Sequence, residues 1–87
     1  TLSYTAPEIF EEKSLITSKI DIYSFSMVIY ELFYKEKPFD NLEDYYIPVY
    51  VIQCKRPKQT NKKIDIKLLF LLDIMKECWD QDPDIRP

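Results

Sequence analysis

The chain has 87 residues, a net charge of −3, and neither glycine nor histidine. Its 46% apolar and 31% charged content reads as globular, yet a domain of this size buries only roughly 60–65% of its unfolded surface. Without glycine every Gly-rich phosphate loop is excluded, and without histidine the commonest general base and metal ligand are gone.

Average glycine usage is about 7%, so its absence points to part of a domain whose Gly-rich segments lie elsewhere. Charges of both signs are interspersed, and Lys62-Lys63 is too short a run to make a basic patch for nucleic acid. Cys54 and Cys78 form neither a disulfide framework nor metal-ligand spacing. They read as reduced thiols of a cytoplasmic protein. The N-terminal residues carry no signal-peptide pattern. The most apolar stretch, 20–34, is broken by Asp21 and Glu31 and is too short to span a bilayer. Neither a nucleic acid nor a membrane is therefore an expected partner.

In chain order, residues 1–10 read as extended, with a short helical turn from Pro7, which suits a first helical position. Residues 11–18 read as a loop. Ser18 and Asp21 have capping-box spacing and open a helix. From 20 to 33 apolar residues cover that helix on nearly all sides, the mark of a buried, central helix. Pro38 forbids its continuation. A second helix is expected from 41–44 to about Gln53, with Pro48 either near its start or at a kink. The aromatic and β-branched run 45–52 also allows a strand. Residues 55–63 form a polar loop. Asp65 is a plausible N-cap for a third helix. Its stripe is Leu68, Leu72, Met75 and Trp79, and Asp82-Pro83 stops it. The predicted fold class is all-α.

Three short motifs stand in order: Thr1-Leu2-Ser3-Tyr4-Thr5-Ala6-Pro7-Glu8, Asp21-Ile22-Tyr23-Ser24-Phe25-Ser26, and Cys78-Trp79-Asp80-Gln81-Asp82-Pro83-Asp84-Ile85-Arg86-Pro87. Between them lie Lys37-Pro38-Phe39 and Lys55-Arg56-Pro57. Together they resemble the eukaryotic protein kinase family over essentially the whole chain. A-P-E closes that family's activation segment. The second motif matches the start of the central helix of its C-lobe, and the third the region between its last two helices. Thr1 and Tyr4 look serine/threonine-type while the third motif looks tyrosine-kinase-type. That combination resembles the tyrosine-kinase-like group, which mostly phosphorylates Ser and Thr.

The resemblance implies the following. Residues 1–87 are a partial kinase domain, the helical portion of the C-lobe, whose intact form would be α+β. Thr1, Leu2, Ser3 and Tyr4 contact a protein substrate, with Tyr4 in the pocket for the residue after the phosphoacceptor. Glu8 and Arg86 match a carboxylate and guanidinium that pair in the lobe. The unaided alternative is two exposed charges at opposite ends of the chain. Asp21 matches an acid that accepts catalytic-loop N–H groups, and it also suits the helix dipole. Trp79 is a core aromatic bracing the Glu8–Arg86 pair, and Cys78 beside it a buried, inert thiol. Ser26 and Cys54 stand where the family prefers glycine, Cys54 at a left-handed helix cap. ATP and Mg2+ belong to the intact domain. This chain alone holds no catalytic residue and no cofactor, and its partners are a protein substrate and the missing N-lobe and catalytic loop. Two other readings are an inactive kinase-like binding module, offering its substrate groove and the 42–53 helix to a protein, and an unrelated helical protein. An all-round apolar helix without its neighbours also makes the isolated chain marginally stable.

Overall fold

The computed structural model describes residues 2–11, 17–59 and 66–87. Among them are four α-helices and no strand: α1 (Pro7–Phe10), α2 (Lys19–Tyr34), α3 (Ile47–Ile52) and α4 (Leu69–Cys78). Single 3-10 turns cover Leu2–Tyr4, Asp44–Tyr46 and Ile66–Leu68. The 45–52 run is thus helical. Pro48 sits in the first turn of α3, where its missing N–H breaks no helical bond. The helix therefore starts there instead of kinking.

The core forms around one face of α2. Tyr23, Met27, Tyr30 and Tyr34 recur at i, i+4, i+7 and i+11, and all are buried. Met75 and Trp79 of the α4 end, Ile47 and Val51 of α3, Ala6 and Phe39 complete the cluster. The opposite face of α2 is not covered. Phe25, Val28 and Leu32 are 53%, 45% and 70% exposed. The all-round apolar pattern thus gives a helix buried on one side. The surrounding elements are too few to wrap the other.

Local chemistry departs from the expected signals at several points. The Ser18 capping box does not form, because Ser18 itself is already in helical geometry and makes no cap bond. The hydroxyl one step earlier serves instead: Thr17 Oγ1 accepts the Lys19 N–H at 3.2 Å. α4 ends at Cys78, four residues before Asp82, with Trp79 as its C-cap. Leu72, Met75 and Trp79 face inward, while Leu68 is exposed at the start of the stripe. The Asp65 cap lies outside the described residues.

A chain without glycine must use other residues where the backbone turns left-handed. Lys35, Phe39 and Cys54 have φ of 56°, 58° and 64°. A non-glycine residue there costs about 1–2 kcal/mol. Lys35 caps α2, its N–H donating to the Glu31 carbonyl at 2.8 Å. Cys54 follows α3 at the position expected to need a left-handed residue. Ser26 is fully buried, and its hydroxyl turns back to donate to the Tyr23 carbonyl. The added side chain is absorbed within the helix's own turn.

Candidate functional site

Leu2, Ser3 and Tyr4 form a 3-10 turn that Ser24 fastens to α2. Ser24 Oγ donates to the Tyr4 carbonyl at 2.7 Å and also lies 3.2 Å from its own helix's Ile20 carbonyl. Between this turn and residues 37–44 lies an open groove of about 400 Å³. Ser3, Tyr4, Lys37, Pro38, Phe39, Asp40, Leu42 and Asp44 line it. The structure thus brings Ser3 and Tyr4 to one surface. Leu2 is partly exposed and does not line the groove. Thr1 lies outside the described residues.

The wall opposite Tyr4 is two consecutive turns. The Asp40 N–H donates to the Lys37 carbonyl at 3.2 Å, and the Leu42 N–H to the Phe39 carbonyl at 2.9 Å. Burial of the Phe39 ring offsets its left-handed backbone. The ring meets Tyr50 of α3 edge-on, with centroids 6.0 Å apart. Pro38 beside it is fully buried.

A buried clamp joins the first and third motifs. The Arg86 guanidinium meets Glu8 with both forks, Nη1 to Oε2 at 2.7 Å and Nη2 to Oε1 at 3.0 Å. Glu8 and Arg86 are 4% and 2% exposed, so this is a desolvated, bidentate pair of the strong kind. Two further Arg86 hydrogens are used as well. Nε donates to the Asp80 carbonyl at 2.8 Å, and Nη1 also to the Lys19 carbonyl at 3.1 Å. One side chain therefore joins α1, the start of α2 and the segment after α4. Burial alone would raise the Glu8 pKa. The Arg86 hydrogen bonds, with the charges of Arg86 and Arg56, outweigh that and hold it below the usual glutamate value.

A second guanidinium lies alongside. Arg56 donates from Nε and Nη2 to the Trp79 carbonyl at 2.9 and 2.7 Å, from Nη2 to Gln81 Oε1 at 2.7 Å, and from Nη1 to the Lys55 carbonyl at 2.9 Å. The Tyr23 ring lies 5.2 Å from both guanidinium carbons. Burial pushes the Tyr23 hydroxyl pKa up to about 12. That hydroxyl has no hydrogen-bond partner among the described residues. The Trp79 carbonyl thus anchors Arg56, while its side chain belongs to the core cluster. Cys78 is buried, and burial raises its thiol pKa.

Asp21 stands exposed in the first turn of α2, where the helix dipole favours an acid. Sequence reasoning assigned no role to Ser24, Arg56 or Gln81. Ser24 lay inside the second motif and Arg56 inside Lys55-Arg56-Pro57, so a signal existed for both. Gln81 occupies a variable position of the third motif and gave none. Among the described residues no three His, Cys, Asp or Glu side chains group to hold a metal ion. No helix there is long and apolar enough to cross a membrane.

An all-helical scaffold with its first and third motifs locked by a buried ion pair, beside a groove that displays Ser3 and Tyr4, is what a kinase C-lobe requires. The sequence model of the family described as protein tyrosine and serine/threonine kinase matches residues 1–87. The chain belongs to the protein kinase family. It is 37% identical over 89 residues to human (Homo sapiens) ankyrin repeat and protein kinase domain-containing protein 1, covering 99% of this chain and 12% of that protein. It is 34% identical over 84 residues to the Arabidopsis thaliana serine/threonine-protein kinase VIK, covering 97% and 18%. It is 35% identical over 91 residues to human (Homo sapiens) receptor-interacting serine/threonine-protein kinase 4, covering 100% and 11%. The chain thus spans less than a fifth of the length of these relatives.

Proposed function

We propose that residues 1–87 are the helical C-lobe portion of a serine/threonine protein kinase domain of the tyrosine-kinase-like group. They run from the end of the activation segment to the start of the last helix. The intact protein transfers the γ-phosphoryl group of ATP to Ser and Thr hydroxyls of protein substrates. This chain supplies the substrate-side contacts of Thr1, Leu2, Ser3 and Tyr4 and the scaffold held by Glu8, Arg86, Asp21 and Trp79. ATP, Mg2+ and the catalytic Asp belong to the N-lobe and catalytic loop of the same domain, which also cover the exposed face of α2. The protein works in the cytoplasm.

The observation that carries this reading is the bidentate Glu8–Arg86 pair, which joins the two most family-specific motifs across 78 positions of sequence. The relatives named serine/threonine-protein kinases support the acceptor class. The inactive binding module has no observation in its favour.

The test is phosphoamino-acid analysis after incubating the intact protein with Mg-ATP and mixed Ser, Thr and Tyr peptides. Phosphoserine and phosphothreonine are expected; phosphotyrosine alone, or no transfer, overturns the proposal. The 87 residues by themselves are expected to show no heat of Mg-ATP binding in calorimetry.

A further inference from the structure

The segment that follows α3 lies against the buried stripe of α2 and is held there at two points. The Arg56 guanidinium lies over the Tyr23 ring, its carbon 5.2 Å from the centroid. The Tyr30 hydroxyl donates to the Lys58 carbonyl at 2.6 Å. Tyr23 and Tyr30 stand at i and i+7 on one side of the helix and are both buried, as is Pro57 between the two holds. The same segment borders the groove wall. Arg56 and Lys58 line a hollow of about 300 Å³ with Phe39, Leu42 and Tyr50. Phe39 and Leu42 also belong to the wall opposite Tyr4. Lys55 lies 4.8 Å over the Tyr50 ring that Phe39 meets edge-on.

Tyr23 stands next to Ser24, whose hydroxyl holds the Tyr4 carbonyl at 2.7 Å. Arg56 is therefore placed between the step of α2 that fastens the Tyr4 turn and the wall that faces that turn. Its chemistry suits holding a position. Its hydrogen bonds all go to neutral oxygens, and no carboxylate pairs with it among the described residues. Nε and Nη2 converge on the Trp79 carbonyl and Gln81, which fixes the plane of the fork as a lysine could not. Gln81 extends the tie, its Nε2 lying 3.5 Å from the Ile52 carbonyl at the end of α3.

We propose that Arg56 is a positioning residue for substrate: it anchors the 56–58 segment as a strap between α2 and the 37–42 wall and so fixes that wall's distance from the Tyr4 turn. The proposal rests on the kinase reading, in which the Tyr4 turn contacts the protein substrate. It deepens that reading by naming a residue outside the groove lining that sets the groove's shape.

The test uses the intact protein with Arg56→Met, which loses the fork, and with Arg56→Lys, which keeps the charge and is read in the same way if the first variant does not fold. Kinetics are run on a serine peptide that the unsubstituted protein phosphorylates. Arg56→Met is expected to raise the peptide KM about three- to tenfold, with kcat and the KM for ATP within about twofold. Arg56→Lys is expected to raise the peptide KM about two- to threefold. Lost stability alone would lower the apparent kcat and leave KM where it was. In a Ser24→Ala background, where the Tyr4 turn is already released, Arg56→Met should raise KM by less than about twofold. Hydrogen exchange gives a readout that needs no transfer. The Thr5 N–H donates to the Leu2 carbonyl at 3.2 Å, and the Leu42 N–H to the Phe39 carbonyl at 2.9 Å. Turn amides of this kind exchange by local opening, which global stability does not set, and both are expected to exchange at least about threefold faster in Arg56→Met. An unchanged peptide KM, unchanged exchange at these two amides, or a full KM rise in the Ser24→Ala background overturns the proposal. If the unsubstituted protein phosphorylates no peptide while the two amides speed up in the variant, the phosphoryl-transfer reading fails and the Arg56 strap stands. If the amides do not respond either, both fail.

Discussion

The clamp and the groove use charge in opposite ways. In the clamp, Glu8 and Arg86 are withdrawn from water and Arg56 beside them is half-buried, and both guanidiniums spend their forks on named acceptors. On the groove, Asp40 and Asp44 stand in solvent with no partner in the fold. A charge that is buried must be matched within the chain, since leaving it unpaired costs several kcal/mol. An exposed charge need not be, and it stays available to something outside. The comparison therefore separates charges that hold the architecture from charges that the fold leaves to solvent.

The largest expected effect is on the clamp. Arg86→Ala leaves Glu8 buried and unpaired and is expected to cost roughly 3–5 kcal/mol in urea denaturation of the intact protein. A loss no larger than a surface substitution would erase the contrast between the two regions. Arg56→Ala strands the Trp79 carbonyl and Gln81, and about 2 kcal/mol is expected.

The same pair sets an acid limb. The Glu8 pKa is held below its ordinary value in the folded state. Its stabilisation is complete above the unfolded value and is lost as pH falls through the lower folded one. Melting temperatures measured downward from neutral pH should therefore drop across that acid range, and the drop should flatten in Glu8→Gln.

Cys54→Gly relieves a left-handed backbone and is expected to raise stability by about 1 kcal/mol. The smallest effect belongs to the groove. Asp40→Asn with Asp44→Asn should change stability by no more than about 0.5 kcal/mol. A larger loss would mean that the rim holds the fold after all.

Much of this was legible in the sequence, for identifiable reasons. Helix existence followed from periodicity and proline, as with Pro48 opening α3 and the inward set Leu72, Met75 and Trp79. The Glu8–Arg86 contact was legible only through the kinase resemblance, because no local pattern connects residues so far apart. The Cys54 position needed the same aid, and its φ of 64° shows why glycine suits it.

What escaped was set by tertiary context. Ser18 and Asp21 have the right spacing for a capping box, but the chain enters α2 one residue earlier and Thr17 takes the cap. The apolar sweep of α2 signalled burial on all sides, while Phe25 and Leu32 stay exposed for want of neighbours. The acids on the groove were missed because Asp40 and Asp44 form no motif. They meet Ser3 and Tyr4 only through the fold of 37–44.

The central claim is that Glu8 and Arg86 act as one unit that ties the ends of this lobe together. A double-mutant cycle with Glu8→Gln, Arg86→Met and the combined variant, followed by urea denaturation of the intact protein, tests it directly. Once one partner is gone, removing the other should cost little. The account therefore expects the two single losses to exceed the double loss by about 2 kcal/mol. Single losses that add to the double within about 0.5 kcal/mol would show two independent charges and contradict it.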